Sequence, residues 1–318
     1  MRLKKILLIF LCFYPVVSYC QKIDNTTSYR DIGTDAYFRF TYDNDYFTAT
    51  DYYFTQGYSF EFISPKLRKN PLTKLLVGLN DSTAKFGLSL EHVGFTPTSI
   101  RFDEVLQNDR PFASYIMLKS AKITTNTKKQ ERLSSILSTG VIGPAAFGGK
   151  MQTTIHRWID GVEPHGWQNQ IKNDVVLNYE LNHEKLLFNS RYLSVNSNVN
   201  LRLGTLNTKA QTGATFVVGK YKSALNSSDI GGFQLYIYTQ PLVNIVGYDA
   251  TLQGGLFNRN SVCTLNPSDI TRINLQNNFG AILKRRGFFL EYSQAVLGKE
   301  FKTGKQHRWG GIKIAFAI

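Results

Sequence analysis

The sequence predicts an all-β protein: a closed antiparallel transmembrane β-barrel of about twelve strands, with a short helical segment in one extracellular loop. Three observations predict it. The chain opens on a secretory signal, and apolar residues then take every second position over unusually long windows. No segment after the signal reaches the roughly eighteen consecutive apolar residues of a spanning helix.

The signal comes first in the chain. Arg2, Lys4 and Lys5 form a positive start, Ile6 to Val17 is apolar, and Ser18-Tyr19-Cys20 ends the stretch. That is the layout of a cleavable peptide over residues 1–20, too short to span a bilayer. A lipid anchor at Cys20 is disfavoured by the Ser-Tyr that precedes it. Residues 21–32 follow as an N-terminal periplasmic segment, and the barrel is expected over 33–318. Cys12 and Cys20 leave with the signal, so Cys263 stands alone and no internal disulfide is expected.

Alternation carries the strand assignment. Leu193, Val195, Val199, Leu201 and Leu203 share one face of a stretch whose other face is Ser194, Asn196, Asn198, Asn200 and Arg202. Ile273, Leu275, Phe279, Ala281 and Leu283 likewise oppose Asn274, Gln276 and Asn278. At the C-terminus Ile312, Ile314, Phe316 and Ile318 flank Lys313. A soluble strand averages about five or six residues, and these windows are longer. Lipid cannot hydrogen-bond a sheet edge, so a spanning sheet must close, with apolar side chains outward and polar ones inward.

The strands expected are Gly33–Asp43, Thr55–Ser64, Lys85–Phe95, Phe112–Lys122, Leu133–Ile142, Asp174–Glu184, Tyr192–Gly204, Gln211–Lys220, Gly232–Leu252, Ile270–Leu283, Phe288–Leu297 and Arg308–Ile318. Pro241 could split the ninth, which would leave ten or fourteen strands rather than twelve. An even count puts both termini in the periplasm and the odd-to-even connections outside the cell. Those outer connections are 44–54, 96–111, 143–173, 205–210, 253–269 and 298–307. The third is the longest, and Ala145 to Ile159 within it reads as a short amphipathic helix.

Three outer segments hold chemically capable groups. Asp43-Asn44-Asp45 and Asp51, followed by Thr55-Gln56-Gly57, put three acids and an amide within nine residues, oxygen ligands of the kind calcium takes, or a solvated turn. His156, with Glu163 seven residues on, could be a general base and its orienting partner, or an ordinary structural histidine. Asn108-Asp109-Arg110-Pro111-Phe112 reads as a loop closed by a salt bridge. There is no Gly-x-Ser-x-Gly elbow, zinc-helix motif, phosphate loop, dinucleotide fingerprint or Cys pair, so the usual serine-hydrolase and zinc-protease readings lose their support. Basic residues outnumber acidic ones by 37 to 23, but they are scattered, which disfavours nucleic acid and favours anionic lipid head groups or lipopolysaccharide phosphates.

These residues also carry a resemblance. Asn44-Asp45, Thr50-Asp51, Tyr53-Phe54-Thr55-Gln56-Gly57 and Asp109-Arg110-Pro111-Phe112-Ala113 resemble the outer-membrane lipid A 3′-O-deacylases of LpxR type. So do Gly140-Val141-Ile142-Gly143-Pro144-Ala145, His156-Arg157, Gly166-Trp167-Gln168-Asn169-Gln170, Tyr292-Ser293-Gln294 and His307-Arg308, in the same order to the C-terminus. The resemblance implies a twelve-stranded barrel and calcium-dependent hydrolysis of the 3′-linked acyloxyacyl ester of lipid A. By position, Asn44 and Asp45 match that family's essential pair, Thr55 its active-site hydroxyl, His156 its catalytic histidine and Glu163 its nearby glutamate. Asn44, Asp45 and Asp51 are the expected metal ligands. The family's basic residue in the second outer loop has no clean equivalent, and Arg101 stands nearest to it. Lipid A or lipopolysaccharide would be the substrate, outer-membrane lipid the surroundings, and a monomer the expected state, with no nucleic acid. A phospholipase-type esterase and a non-catalytic barrel (a pore or structural protein) are the alternatives.

Overall fold

The computed structural model describes residues 24–48, 50 and 52–318. The signal expected over 1–20 and the metal ligand expected at Asp51 lie outside the described residues. Twelve strands close on themselves: β1 (Tyr37–Asn44), β2 (Tyr53–Ile63), β3 (Thr83–Thr96), β4 (Ala113–Asn126), β5 (Glu131–Ile142), β6 (Asp174–Asn189), β7 (Leu193–Gly204), β8 (Asn207–Lys220), β9 (Gln234–Asp249), β10 (Ile273–Arg285), β11 (Phe288–Leu297) and β12 (His307–Ala317). Each pairs antiparallel with its sequence neighbour, and β1 closes on β12 from Tyr37 opposite Ala317 to Asn44 opposite Gly310. Closure leaves no edge for lipid to meet. No described helix is long and apolar enough to cross a membrane.

Pro241 does not split β9. It stays in register opposite Asn277 of β10, while the β8 ladder skips from the Gly213–Leu242 pair to the Phe216–Thr239 pair. A proline has no N–H to donate, and the sheet absorbs the loss over this short unpaired step. The β7–β8 turn is shorter than expected, since β8 starts at Asn207.

Side-chain polarity is inverted relative to a soluble barrel. Phe38, Phe60, Phe62, Leu177, Leu201 and Ile237 are exposed on the outer wall, whereas Arg39, Glu91, Glu180, Arg202 and Glu291 are buried in the lumen. Many of the buried charges are paired: Arg202 with Glu180 at 2.6 Å, Lys119 with Glu91 at 2.7 Å, and Arg132 with Asp31 at 2.6 Å. An unpaired charge there would cost several kcal/mol.

The described part of the segment expected in the periplasm lies inside the lumen, at the end where β1 begins and β12 ends. Residues 25–32 are buried. Ser28 N donates to Glu184 Oε2 at 2.6 Å, Tyr236 hydroxyl donates to Tyr29 O at 2.5 Å, and Lys284 Nζ donates to Asp31 O at 2.6 Å. A polar, charged peptide gains partners inside a polar lumen that it would otherwise exchange only with water. Gly33 turns the chain out of the lumen into β1; its φ of +84° and the Ile230 side chain 2.8 Å from where a Cβ would lie make any other residue strained.

The helix expected over 145–159 forms in two pieces. A 3-10 turn, Pro144–Ala146, is followed by helix α1 (Gly148–Trp158), with Phe147 between them in a left-handed conformation at φ 61°.

Candidate active site on the outer wall of the rim

Register places the first candidates. In β1, Arg39, Thr41 and Asp43 point into the lumen, so Phe38, Phe40, Tyr42 and Asn44 point outward. Asn44 pairs with Gln56 of β2, Gln56 with Gly94 of β3, and Gly94 with Ser114 of β4. This row crosses the outer wall at the rim opposite the termini. One step below it runs the row of Tyr42, Tyr58, His92 and Ile116. Tyr58 and His92 stack at 5.0 Å, and the ring nitrogen Nε2 of His92 lies 2.8 Å from Ala146 O, which fastens the 3-10 turn to the wall.

Thr55 is the extra residue of a bulge, because the β2–β3 register shifts between Phe54 and Gln56. A bulge re-aims a side chain locally. Gly94 leaves room for the Thr55 methyl, which lies 3.0 Å from where a Cβ would stand. Asn44 Nδ2 donates to Thr55 O at 2.7 Å and to Tyr42 hydroxyl at 3.1 Å, while its Oδ1 accepts from Tyr46 N at 2.7 Å. Asn44 and Thr55 are therefore locked together.

Helix α1 seats on the same row. Gly148 N donates to Ser114 Oγ at 3.3 Å, and a Cβ on Gly148 would collide with Ser114 at 2.4 Å, so the helix approaches the wall only because that position is bare. Gln152, buried one turn on, donates from Nε2 to Thr55 Oγ1 at 3.0 Å and accepts from Trp167 Nε1 at 2.7 Å. Gly148 sits over β4 and Gln152 over β2, so α1 runs across the wall towards β1. His156, one further turn along the same face, extends it in the direction of Asn44. No hydrogen bond joins His156 to Asn44 or Thr55.

His156 Nδ1 lies 2.5 Å from Val162 O. A carbonyl only accepts, so in the neutral ring Nδ1 carries the proton and Nε2 keeps its lone pair. The ring bonds to this carbonyl and not to Glu163. Glu163 bonds to Arg157 instead, both exposed at the end of the helix and in the turn that follows it. Arg101 is exposed in the loop 97–112, with no ion pair among the described residues.

The Gly166-Trp167-Gln168-Asn169-Gln170 stretch ties the long loop to that one. Trp167 packs on Phe112 with ring centroids 5.0 Å apart, His165 N donates to Ile100 O at 2.7 Å, and Asn169 Nδ2 donates to Asp103 O at 2.7 Å. Gln168, donating at 3.0 Å to Asp103 Oδ1, holds that carboxyl below its ordinary value of 3.8. A depressed acid stabilises the folded form above its unfolded value and loses that contribution as pH falls. Hydrogen exchange in residues 97–112 is accordingly expected to accelerate below about pH 3.8, beyond the intrinsic trend, and less so in Asp103→Asn. A clamp indifferent to acid would contradict this. The salt bridge expected at Arg110 is present, but its partner is Glu300 of the β11–β12 loop; Arg110 also donates to Thr251 Oγ1 at 2.8 Å, and Asp109 caps Thr98 N at 2.9 Å.

A calcium ion needs six to eight oxygen ligands. The oxygens on offer are the Asn44 amide oxygen, which accepts from Tyr46 N at 2.7 Å, and the carboxylate of Asp45, buried in the 3-10 turn Asp45–Thr48. Among the described residues no three His, Cys, Asp or Glu side chains gather around one point. These two donors are hard oxygens of the kind calcium takes.

Gln152 and Tyr58 are parts of this site that the sequence reading passed over. Gln152 was detectable in principle, lying four residues before His156 on one helical face. Tyr58 was not, since its pairing with His92 depends on strand register.

Comparison with known proteins agrees with this architecture. The family model described as outer membrane protein LpxR matches residues 6–318. Among solved structures the chain is similar to LpxR from Salmonella typhimurium, at 20% identity and a TM-score of 0.72, over 89% of this chain and 100% of that one. The β-domain of the Bordetella autotransporter BrkA aligns over 89% and 99% of the two chains at 8% identity, but a TM-score of 0.45 carries no argument. No curated protein matches the chain.

Proposed function

Because this chain belongs to the LpxR family of outer-membrane proteins, we propose that it is a lipid A deacylase that hydrolyses the 3′-linked acyloxyacyl ester with calcium as its cofactor. The observation that carries the proposal is the face on which the groups lie. Asn44, Thr55 and α1 stand on the lipid side of the wall and not in the lumen. An acyl ester of a membrane lipid reaches such a groove sideways, without leaving its leaflet. A pore would direct its chemistry inward instead.

In this reading the rim bearing Asn44 and His156 faces the cell exterior, where lipid A resides, since an even-stranded barrel keeps both termini in the periplasm. His156 Nε2 accepts a proton from water, and the water oxygen attacks the ester carbonyl. The same nitrogen returns the proton to the departing alkoxide, leaving a free fatty acid and the 3′-hydroxyl. The Val162 carbonyl keeps the ring in the tautomer this needs. Thr55, held by Gln152, positions water or the acyl chain, and Arg101 meets a lipid A phosphate. Glu163, paired with Arg157, borders the substrate. Asn44 and Asp45, with Asp51, would hold calcium, which when bound supplies Lewis-acid polarisation of the ester carbonyl.

Mass spectrometry of lipid A from cells with and without the chain tests the reading; the expected result is loss of the 3′-linked acyloxyacyl mass. Lysophospholipid products with unaltered lipid A would assign a phospholipase-type esterase instead, and unaltered lipids of both kinds a non-catalytic barrel. Excess EGTA is expected to abolish deacylation by the purified protein and added calcium to restore it. Full activity in EGTA would remove the metal from the mechanism.

A further inference from the structure

The connection between β2 and β3, residues 64–82, does not turn back directly. Two 3-10 turns, Pro65–Lys69 and Pro71–Leu75, carry it away from the barrel end. It then lies along the outer wall. Tyr179 of β6 donates its hydroxyl to Leu75 O at 2.9 Å, Ser135 of β5 donates to Val77 O at 2.6 Å, and Leu79 N donates to Thr124 Oγ1 of β4 at 3.0 Å. Tyr179 shares the strand face of exposed Val175 and Leu177, and Thr124 that of exposed Leu118, so this arch is on the lipid side.

Under the arch is a cavity of about 440 Å³. Its wall is made by two cross-strand pairs, Ala84 with Thr124 and Phe86 with Lys122, and Arg68 enters from the arch. The arch is strongly basic: Lys66, Arg68, Lys69 and Lys74 face a single acid, Asp81. None of these four cations, nor Lys122, forms an ion pair among the described residues; Lys122 Nζ donates only to Leu76 O, at 3.3 Å. Between the cations Leu72, Leu75 and Val77 are exposed. Cations interleaved with exposed apolar side chains suit the boundary between head groups and acyl chains.

We propose that this niche binds an anionic phospholipid of the leaflet at the terminal end, its phosphate between Arg68 and Lys122 and an acyl chain along Phe86, Leu88 and Leu90. Those three side chains share the outer face of β3, which provides a continuous apolar track away from the two charges. The proposal depends on the barrel wall and not on the ester chemistry; only the leaflet's being the periplasmic one follows from the orientation proposed above.

Native mass spectrometry of the full chain in detergent, titrated with phosphatidylglycerol, phosphatidylethanolamine or lipid A, tests it. Phosphatidylglycerol is expected to be retained in preference to the other two. In the Arg68→Glu/Lys122→Glu double variant its affinity is expected to fall by at least roughly thirtyfold, the effect of losing two cations near the surface before the repulsion of the two new carboxylates is added. Lys129→Glu, a charge reversal outside the niche, is expected to change it little. Ala84→Trp fills the cavity without altering charge and is expected to weaken retention as well, which guards against misfolding of the charge-reversed barrel. Equal retention of the two phospholipids, preference for lipid A, or unchanged phosphatidylglycerol binding in both niche variants would overturn the proposal. Deacylation by these variants is expected to stay at the wild-type level, so a failure here and a failure of the enzymatic reading are told apart.

Discussion

Replacing His156 by alanine is expected to reduce lipid A deacylation by roughly 10²- to 10⁴-fold, the usual contribution of a general base, with the barrel still folded. The structure makes the two effects separable. His156 lies on a helix outside the wall, and its ring bonds only to the nearby Val162 carbonyl, so no strand pairing depends on it. Lipid A mass spectrometry reads the activity, and heat-modifiable migration on gels reads the fold. Retained deacylation in the folded variant would exclude His156 as the base. Gln152→Leu should behave differently. It removes the bonds to Thr55 and Trp167 that hold α1 against β2, yet leaves the imidazole in place. Its rate is expected to fall by a smaller factor and its pH profile to stay unchanged, because it positions the base and does not titrate.

The second large effect is expected in the lumen. Arg30 donates from Nε and Nη2 to the Glu291 carboxylate at 2.8 and 2.6 Å, and Tyr238 hydroxyl adds a bond to the same carboxylate at 2.6 Å. Both charges are buried. Arg30→Ala strands Glu291 with one neutral donor, and removing one member of a buried pair costs roughly 3–5 kcal/mol. It also removes the bond from Arg30 Nη2 to the Tyr238 hydroxyl at 2.8 Å, one of the ties between the N-terminal segment and the barrel wall. A marked drop in the thermal midpoint is the expected outcome. Replacing both partners by Met should recover much of the loss, because no uncompensated charge is then left behind. A midpoint for Arg30→Ala equal to the wild type would show that water in the lumen screens the pair and that the N-terminal segment adds nothing to the closure.

The architecture was legible because a membrane strand writes its environment into its sequence at period two. Val199, Leu201 and Leu203 against Asn198, Asn200 and Arg202 specify both the strand and the inversion of its faces, and the structure has those apolar residues exposed and those polar ones buried. The break at Phe147 was not legible, since it depends on how closely Gly148 can approach Ser114, a residue far away in the chain. The burial of residues 25–32 was hidden for a similar reason: a short polar segment reads as solvated until a polar lumen is present to receive it.

Candidate residues could be gathered at one rim from strand parity alone, because the number of crossings decides on which side of the membrane each connection emerges. Parity says nothing about whether a group faces lumen or lipid, nor about its partners. Those were decided by pairing register and by one bulge, which set Asn44, Thr55 and Gln152 together on the outer wall. Local chemistry along a chain is additive and can be read residue by residue. A contact across strands is a property of closure, and it exists only once the sheet has met itself.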